Sequence, residues 1–198
     1  DSDKLFPAAE TLASLPKVRH NNVAILADGG GHATIAADYL SELGVEIPEL
    51  SEKTQNRLRE ILPSAASVKN PIDVAGGADA NPNILADCAR ILLHDSQIGG
   101  VLVVGLFGGY SIRFAKSLEF VEEDCAHQMG KLVRETKKPI VVHSLYNYAK
   151  PHSLDLLRYY DIPVYDSVEV ASKCIGVLAE WGEHLKSYEA KTSFTLHW

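Results

Sequence analysis

Three short segments combine glycine with polar or aromatic residues in an order that could hold an anion: Asp28-Gly29-Gly30-Gly31-His32, Ala75-Gly76-Gly77-Ala78 and Phe107-Gly108-Gly109-Tyr110-Ser111. Glycine lets backbone amides approach an anion that a side chain would keep away, and it adopts the positive φ that amide nests use. Where such a loop opens into a helix, the unpaired N–H groups and the dipole of the first turn add to the attraction. His32 and Ser111 stand where two of these helices would begin. An imidazole so placed can donate a hydrogen bond to an anion or transfer a proton, which makes His32 the candidate catalytic residue. The candidate anion-binding residues are Gly29, Gly30, Gly31, Asp73, Gly76, Gly77, Phe107, Gly108, Gly109 and Ser111, with Gly109 expected at positive φ. The same glycines also serve tight turns and close helix–strand packing, and the carboxylates of Asp28 and Asp73 commonly cap loops. His143 ends an apolar run, either satisfied at the rim of the core or facing the same edge.

These segments need a frame that brings them together. Val23 to Leu26 is a short apolar strand, and beyond the glycines Ala33, Ala36, Tyr39, Leu40 and Leu43 recur at helical spacing up to Gly44. Val45 to Ile47 predicts a brief strand. Ser51 and Glu52 open a second helix that Pro63 stops, and Val68 to Val74, which contains Pro71, predicts a short or edge strand. Pro82 suits the start of a helix running to about His94. Val101 to Leu106 is continuously apolar, as a central parallel strand covered on both faces must be. A long helix is expected from Tyr110 or Ser111 to about Thr136, then a strand from Pro139 to His143, a helix from Ser153 to Tyr160, a strand from Pro163 to Tyr165 and a closing helix from Ser167 to about Leu185. This alternation predicts an open, mainly parallel α/β sheet whose carboxyl edge carries the glycine loops.

The chain has 198 residues, 46% of them hydrophobic, enough for one domain with a sizeable core. Residues 22–186 are expected to form it, with 1–21 a leader or linker and 187–198 a C-terminal tail. A net charge of -7 supplies no footprint for nucleic acid or an anionic membrane. The longest uncharged apolar stretch, Ile98 to Gly109, is far short of the ~20 residues that span a bilayer, and no apolar signal core follows Asp1 to Lys4. Cys88, Cys125 and Cys174 are scattered, as reduced thiols of a cytoplasmic protein would be, and no spacing points to a metal site. No GxGxxG, no GxxxxGK and no GxSxG occurs, so the chain by itself is expected to bind no nucleotide cofactor.

The order of these loops carries a family resemblance. Asn22-Val23-Ala24-Ile25-Leu26 with Gly29-Gly30-Gly31, then Ala36-Ala37-Asp38, Gly44, Pro48-Glu49-Leu50-Ser51, Thr54, Leu62-Pro63 and Ser67-Val68-Lys69-Asn70-Pro71-Ile72-Asp73-Val74 resembles the NDP-forming acyl-CoA synthetases, which include ADP-forming acetate–CoA ligases and are relatives of succinyl-CoA synthetase. The resemblance covers about residues 20–182, and Phe107-Gly108-Gly109 looks like the loop of the carboxy-terminal domain of the succinyl-CoA synthetase β chain. It implies a three-layer, flavodoxin-like domain of an acid–CoA ligase that helps form the acyl and phosphohistidine site with helix N-termini and glycine loops. It further implies partner domains that bind CoA, carry the phosphohistidine and hold ATP or ADP with Mg2+ in an ATP-grasp fold, and a small carboxylic acid or acyl phosphate as substrate. The family's Gly-His-Ala-Gly-Ala or Ser-His-Thr-Gly-Ala segment is absent, so this chain alone is expected to be incompetent. His32-Ala33 stands where acetate-type members commonly have Pro-Gly, and His32 is not expected to be the phosphohistidine. Two other readings share the architecture: a non-catalytic regulatory or partner-binding module, and a carbamoyl- or acyl-transfer homologue.

Overall fold

Gly100–Gly105, sequence GVLVVG, is buried throughout, because its side chains leave the backbone towards helices on both faces. In the computed structural model, which describes residues 2–18 and 20–192, this segment is the middle strand, β3, of a five-stranded parallel sheet in the order β2-β1-β3-β4-β5. The others are β1 (Val23–Ala27), β2 (Ile72–Asp73), β4 (Ile140–Ser144) and β5 (Val164–Tyr165). That order is flavodoxin-like. The helices α1 (Ser2–Ser14), α2 (Gly30–Glu42) and α8 (Val168–Thr192) cover one face, and α4 (Asn83–Leu93), α6 (Glu119–Thr136) and α7 (His152–Tyr159) cover the other, with α3 (Glu52–Ile61) against α4. Three layers result, as the resemblance implies. Cys88, Cys125 and Cys174 are buried free thiols on α4, α6 and α8. No helix among the described residues is long and apolar enough to cross a membrane.

Four segments differ from the sequence expectation. The leader is largely helical: α1 packs on α8, Leu15 and Val18 are buried, and Val18 donates its N–H to the Leu178 carbonyl. Residues 1 and 19 of that leader lie outside the described residues. Helix α8 runs on through Thr192 into the segment expected as a tail, of which residues 193–198 lie outside the described residues. Val45 to Ile47 forms only the single bridge between Asn22 and Glu46, since Pro48 has no N–H with which to extend it. Finally, the long helix expected after Ser111 is broken into α5 (Tyr110–Arg113), a 3-10 turn at Lys116–Leu118 and α6.

Strand β2 has two residues because Pro71 cannot donate to the ladder. The Asn70 side chain extends the pairing in its place. Its Oδ1 accepts from the Ile25 N–H at 2.9 Å, and its Nδ2 donates to the Val23 carbonyl at 3.0 Å and the Pro48 carbonyl at 3.2 Å. Asn70 thereby holds the edge of the sheet and the β2 loop behind it against β1. Replacing Asn70 with Ala is expected to cost about 2–3 kcal/mol, since buried groups on β1 lose their partner. A lowered urea midpoint at unchanged m value is the signature to look for.

Candidate functional site

The strand order reverses between β1 and β3, and in open α/β sheets the crevice at the carboxyl ends of such strands is where ligands bind. At that point β1 ends in Asp28 and Gly29, and α2 begins at Gly30. Gly29 is extended, with φ 169, and no side chain caps the helix. No acidic residue lies in its first turn. A Cβ at Gly29 or Gly31 would meet nothing within 4 Å, and one at Gly30 would meet only Asp73 Oδ2, at 3.5 Å. The N-terminus of α2 is therefore bare backbone, although Gly29, Gly30 and Gly31 lack the positive φ expected of a nest.

The same near contact brings the β1 and β2 loops together. Asp73 Oδ1 accepts the N–H of Ala75, an ordinary loop cap. Gly76 has φ +77. Gly77 donates its N–H to the Val74 carbonyl and leaves no room for a side chain between that carbonyl, Pro63 and Ile84. Asp73 borders the α2 terminus, whereas Gly76, at positive φ, and Gly77 make the turn.

The third loop carries an acceptor of its own. The Glu122 carboxylate, 1% exposed, takes the backbone N–H groups of Gly108 at 2.8 Å and Tyr110 at 3.1 Å on Oε1, and that of Ser111 at 3.0 Å on Oε2. An uninterrupted helix would carry Glu122 roughly 16 Å along its axis from Ser111, at about 1.5 Å per residue. The break between α5 and α6 is what brings it back. Gly109 corrects a second expectation: its φ is -116, and the positive φ of +90 belongs to Gly108. Gly109 donates its N–H to the Leu106 carbonyl, and a Cβ there would collide with the Tyr146 ring, so its glycine serves packing. Phe107 is buried, with its carbonyl accepting from the Ser144 hydroxyl.

Between the first and third loops, Asp28 Oδ2 accepts from the Leu106 N–H at 2.8 Å and from the Tyr110 hydroxyl. Burial raises the Asp28 pKa, while the Tyr110 and Leu106 hydrogen bonds oppose the rise. The Tyr110 hydroxyl is likewise pushed upward, first by burial and then by the Asp28 charge. His143 Nδ1 accepts from the Gly105 N–H at 3.2 Å, and burial, followed by the charge of His32, lowers its pKa to about 4. The His32 and His143 rings lie 5.6 Å apart, tilted by 35°. The fold thus gathers His32, His143, Asp28 and Asp73 at one edge. Sequence reasoning missed Glu122 and Tyr110; the only signal for Glu122 was an acidic residue near the break.

No family model matches the chain. Among curated proteins, the alpha subunit of ADP-forming acetate–CoA ligase II from Pyrococcus furiosus is 29% identical over 159 residues, covering 78% of this chain and 32% of that protein. The alpha subunit of ADP-forming acetate–CoA ligase I from the same organism is 24% identical over 188 residues, covering 94% and 38%. The crystal structure of PH0766 from Pyrococcus horikoshii OT3 superposes with a TM-score of 0.81 at 28% identity, over 93% of this chain and 41% of that one. The chain resembles the NDP-forming acyl-CoA synthetases in sequence and in fold. It spans about a third of the length of these ligase subunits.

Two outcomes are expected at this edge. Glu122→Ala loses about 3 kcal/mol or more, because each buried N–H left unpaired costs ~1–3 kcal/mol; acetate should raise the melting temperature of that variant more than that of the wild type. His143 has a folded pKa below its ordinary 6.5, so the unfolded chain binds more protons between pH 6.5 and about 4. Stability should then fall as the pH drops through that window, and His143→Gln should remove this part of the slope in calorimetric melts.

Proposed function

We propose that the chain is a flavodoxin-like domain of an ATP-dependent, NDP-forming acid–CoA ligase that helps form the acyl and phosphohistidine site. The uncapped N-terminus of α2 at the switch point carries this reading, supported by the relatives that are ligase subunits. Gly29, Gly30 and Gly31 offer amides to a carboxylate or phosphoryl oxygen, with His32 and Asp73 at the rim. Gly108 and Ser111 act on the site indirectly, by fixing α5 through Glu122. Residues 22–186 form the ligase domain, to which the helical leader adds α1.

The remaining chemistry belongs to other domains. Mg2+ and ATP or ADP are assigned to an ATP-grasp partner, in keeping with relatives that are subunits of ADP-forming ligases. CoA and the phosphorylated histidine are assigned to further domains of the same cytoplasmic enzyme. Energetics support this division. One helix terminus stabilises an anion by about 0.3–1 kcal/mol when exposed and up to ~2 kcal/mol when partly buried. Millimolar binding needs ~4 kcal/mol. A second domain has to add donors and exclude water before the site becomes effective.

Gly31→Asp separates function from folding. The position is open, and a carboxylate in the first turn of a helix favours the helix by about 0.3–1 kcal/mol. The variant should melt no lower than the wild type. In the enzyme reconstituted with its partner domains, kcat/KM should fall at least about tenfold, or ~1.4 kcal/mol, because the new charge repels the ligand. Undiminished activity would overturn the proposal.

A further inference from the structure

The loop that joins α4 to β3 lies at the amino edge of the sheet, opposite the loops of the switch point. Together with the first turns of α3 it borders an open cleft of about 270 Å³. The Thr54 hydroxyl ties the two sides together by donating to Asp95 Oδ2, and Asp95 Oδ1 takes the Gln97 N–H at 2.9 Å, so both oxygens of this carboxylate are engaged by the walls. Ser51 caps α3 by accepting the Thr54 N–H, which leaves side chains as the donors of the cleft. Lys53 and Arg57, one helical turn apart, both line it, as do Ser96 and Gln97. None of these four side chains has a hydrogen-bond or ion-pair partner among the described residues. One unpaired surface lysine is ordinary. Two like charges at i,i+4 repel each other on one helix face, and such a pair costs the helix stability. The other charged groups at the cleft are already committed: His94 Nδ1 donates to the Arg90 carbonyl at 2.8 Å, and its Nε2 faces Glu135 Oε1 at 3.5 Å. Lys138, whose Nζ donates to the Asp95 carbonyl at 2.6 Å, adds a further cation behind the loop. In a chain of net charge -7, this corner carries a local positive excess.

We propose that this cleft binds a small, multiply charged oxyanion of the phosphate class, with Lys53 and Arg57 as its ion-pair partners and Ser96 and Gln97 as neutral donors. An anion seated between the two cations replaces one repulsion by two attractions. The guanidinium matches two oxygens of a tetrahedral oxyanion at once, and the lysine supplies a point charge. Size restricts the ligand. Organic ligands of drug size occupy clefts of roughly 300–1,000 Å³, so this space suits inorganic phosphate, pyrophosphate or the terminal phosphate of a larger molecule whose remainder extends into solvent. The site is independent of the α2 reading, which concerns the opposite edge of the sheet.

Amide correlation spectra of the 15N-labelled chain test the inference, with inorganic phosphate and pyrophosphate titrated separately near neutral pH and the ionic strength held constant with sodium chloride. Expected are saturable shifts at Lys53, Thr54, Ser96 and Gln97 that share one midpoint, lower for pyrophosphate than for phosphate because the added charge meets the same two cations. Lys53→Gln and Arg57→Gln should each raise the pyrophosphate midpoint about threefold or more, a factor of the size that one exposed ion pair supplies. Arg57→Lys, which keeps the charge, should recover part of the affinity. Both Gln variants remove a like-charge contact from an exposed helix face and should melt no lower than the wild type, so that weakened binding is not a loss of fold. Shifts that do not saturate, or that sodium chloride alone reproduces, would overturn the inference, as would an unchanged midpoint in both Gln variants. The Gly30 and Gly31 amides report on the other edge. Shifts there with none at Ser96 and Gln97 would overturn this inference and leave the α2 reading standing; the reverse pattern would support this site and count against α2.

Discussion

The loop after β3 turns three backbone N–H groups inward, those of Gly108, Tyr110 and Ser111, and the Glu122 carboxylate accepts from all three. Buried amides must be paired, and a carboxylate so far inside a protein must be surrounded by donors. Each requirement answers the other. The arrangement sets the break between α5 and α6, the path of the loop past Tyr146 and the placement of Tyr110 beneath Asp28. Tyr110 in turn holds Asp28, and Asp28 ties the end of β1 to Leu106. The crevice at the sheet's switch point is thus shaped from inside by a pair of carboxylates, only one of which is fully encased in donors.

That difference divides the glycine loops by role. The β3 loop resembles a finished anion site whose anion is part of the chain, and its glycines answer to sterics: Gly108 to a positive φ and Gly109 to the Tyr146 ring. The α2 loop has the same kind of donors and no side-chain cap. His143 sits beside it, kept neutral by burial and by its bond to Gly105. A neutral imidazole and a helix terminus can offer hydrogen bonds to a charged group without adding a formal charge of their own, which suits an edge that already contains Asp28 and Asp73.

Most of the sheet was legible in the sequence, because the strands are short apolar runs separated by glycine and proline punctuation, and because β3 is apolar at successive positions as a doubly covered strand must be. The three loops could be placed at one edge by that alternation alone. What could not be seen was which amides would be free. Glu122 lies among Glu119, Glu123 and Asp124 and looks like one more solvated carboxylate of a helix start; its burial depends on a break that propensity does not mark. Asn70 stood out as part of a family motif, yet its work, three hydrogen bonds from an edge that proline had stripped, is evident only with β1 beside it. Helix α1 was missed because its exposed Leu5 and Phe6 and its internal Pro7 blur any amphipathic stripe.

The bare first turn of α2 also couples occupancy to folding. Most helices draw part of their stability from a capping side chain worth roughly 0.5–2 kcal/mol, and α2, beginning at three glycines, forgoes it. An anion settling on those amides would act as a cap supplied from outside, and the helix and the strand it packs on would gain stability with the logarithm of the ligand concentration above its dissociation constant, as for any ligand specific to the native state. On the proposed reading of α2, the melting temperature of the domain would report, without any assay of chemistry, how strongly an anion holds that terminus.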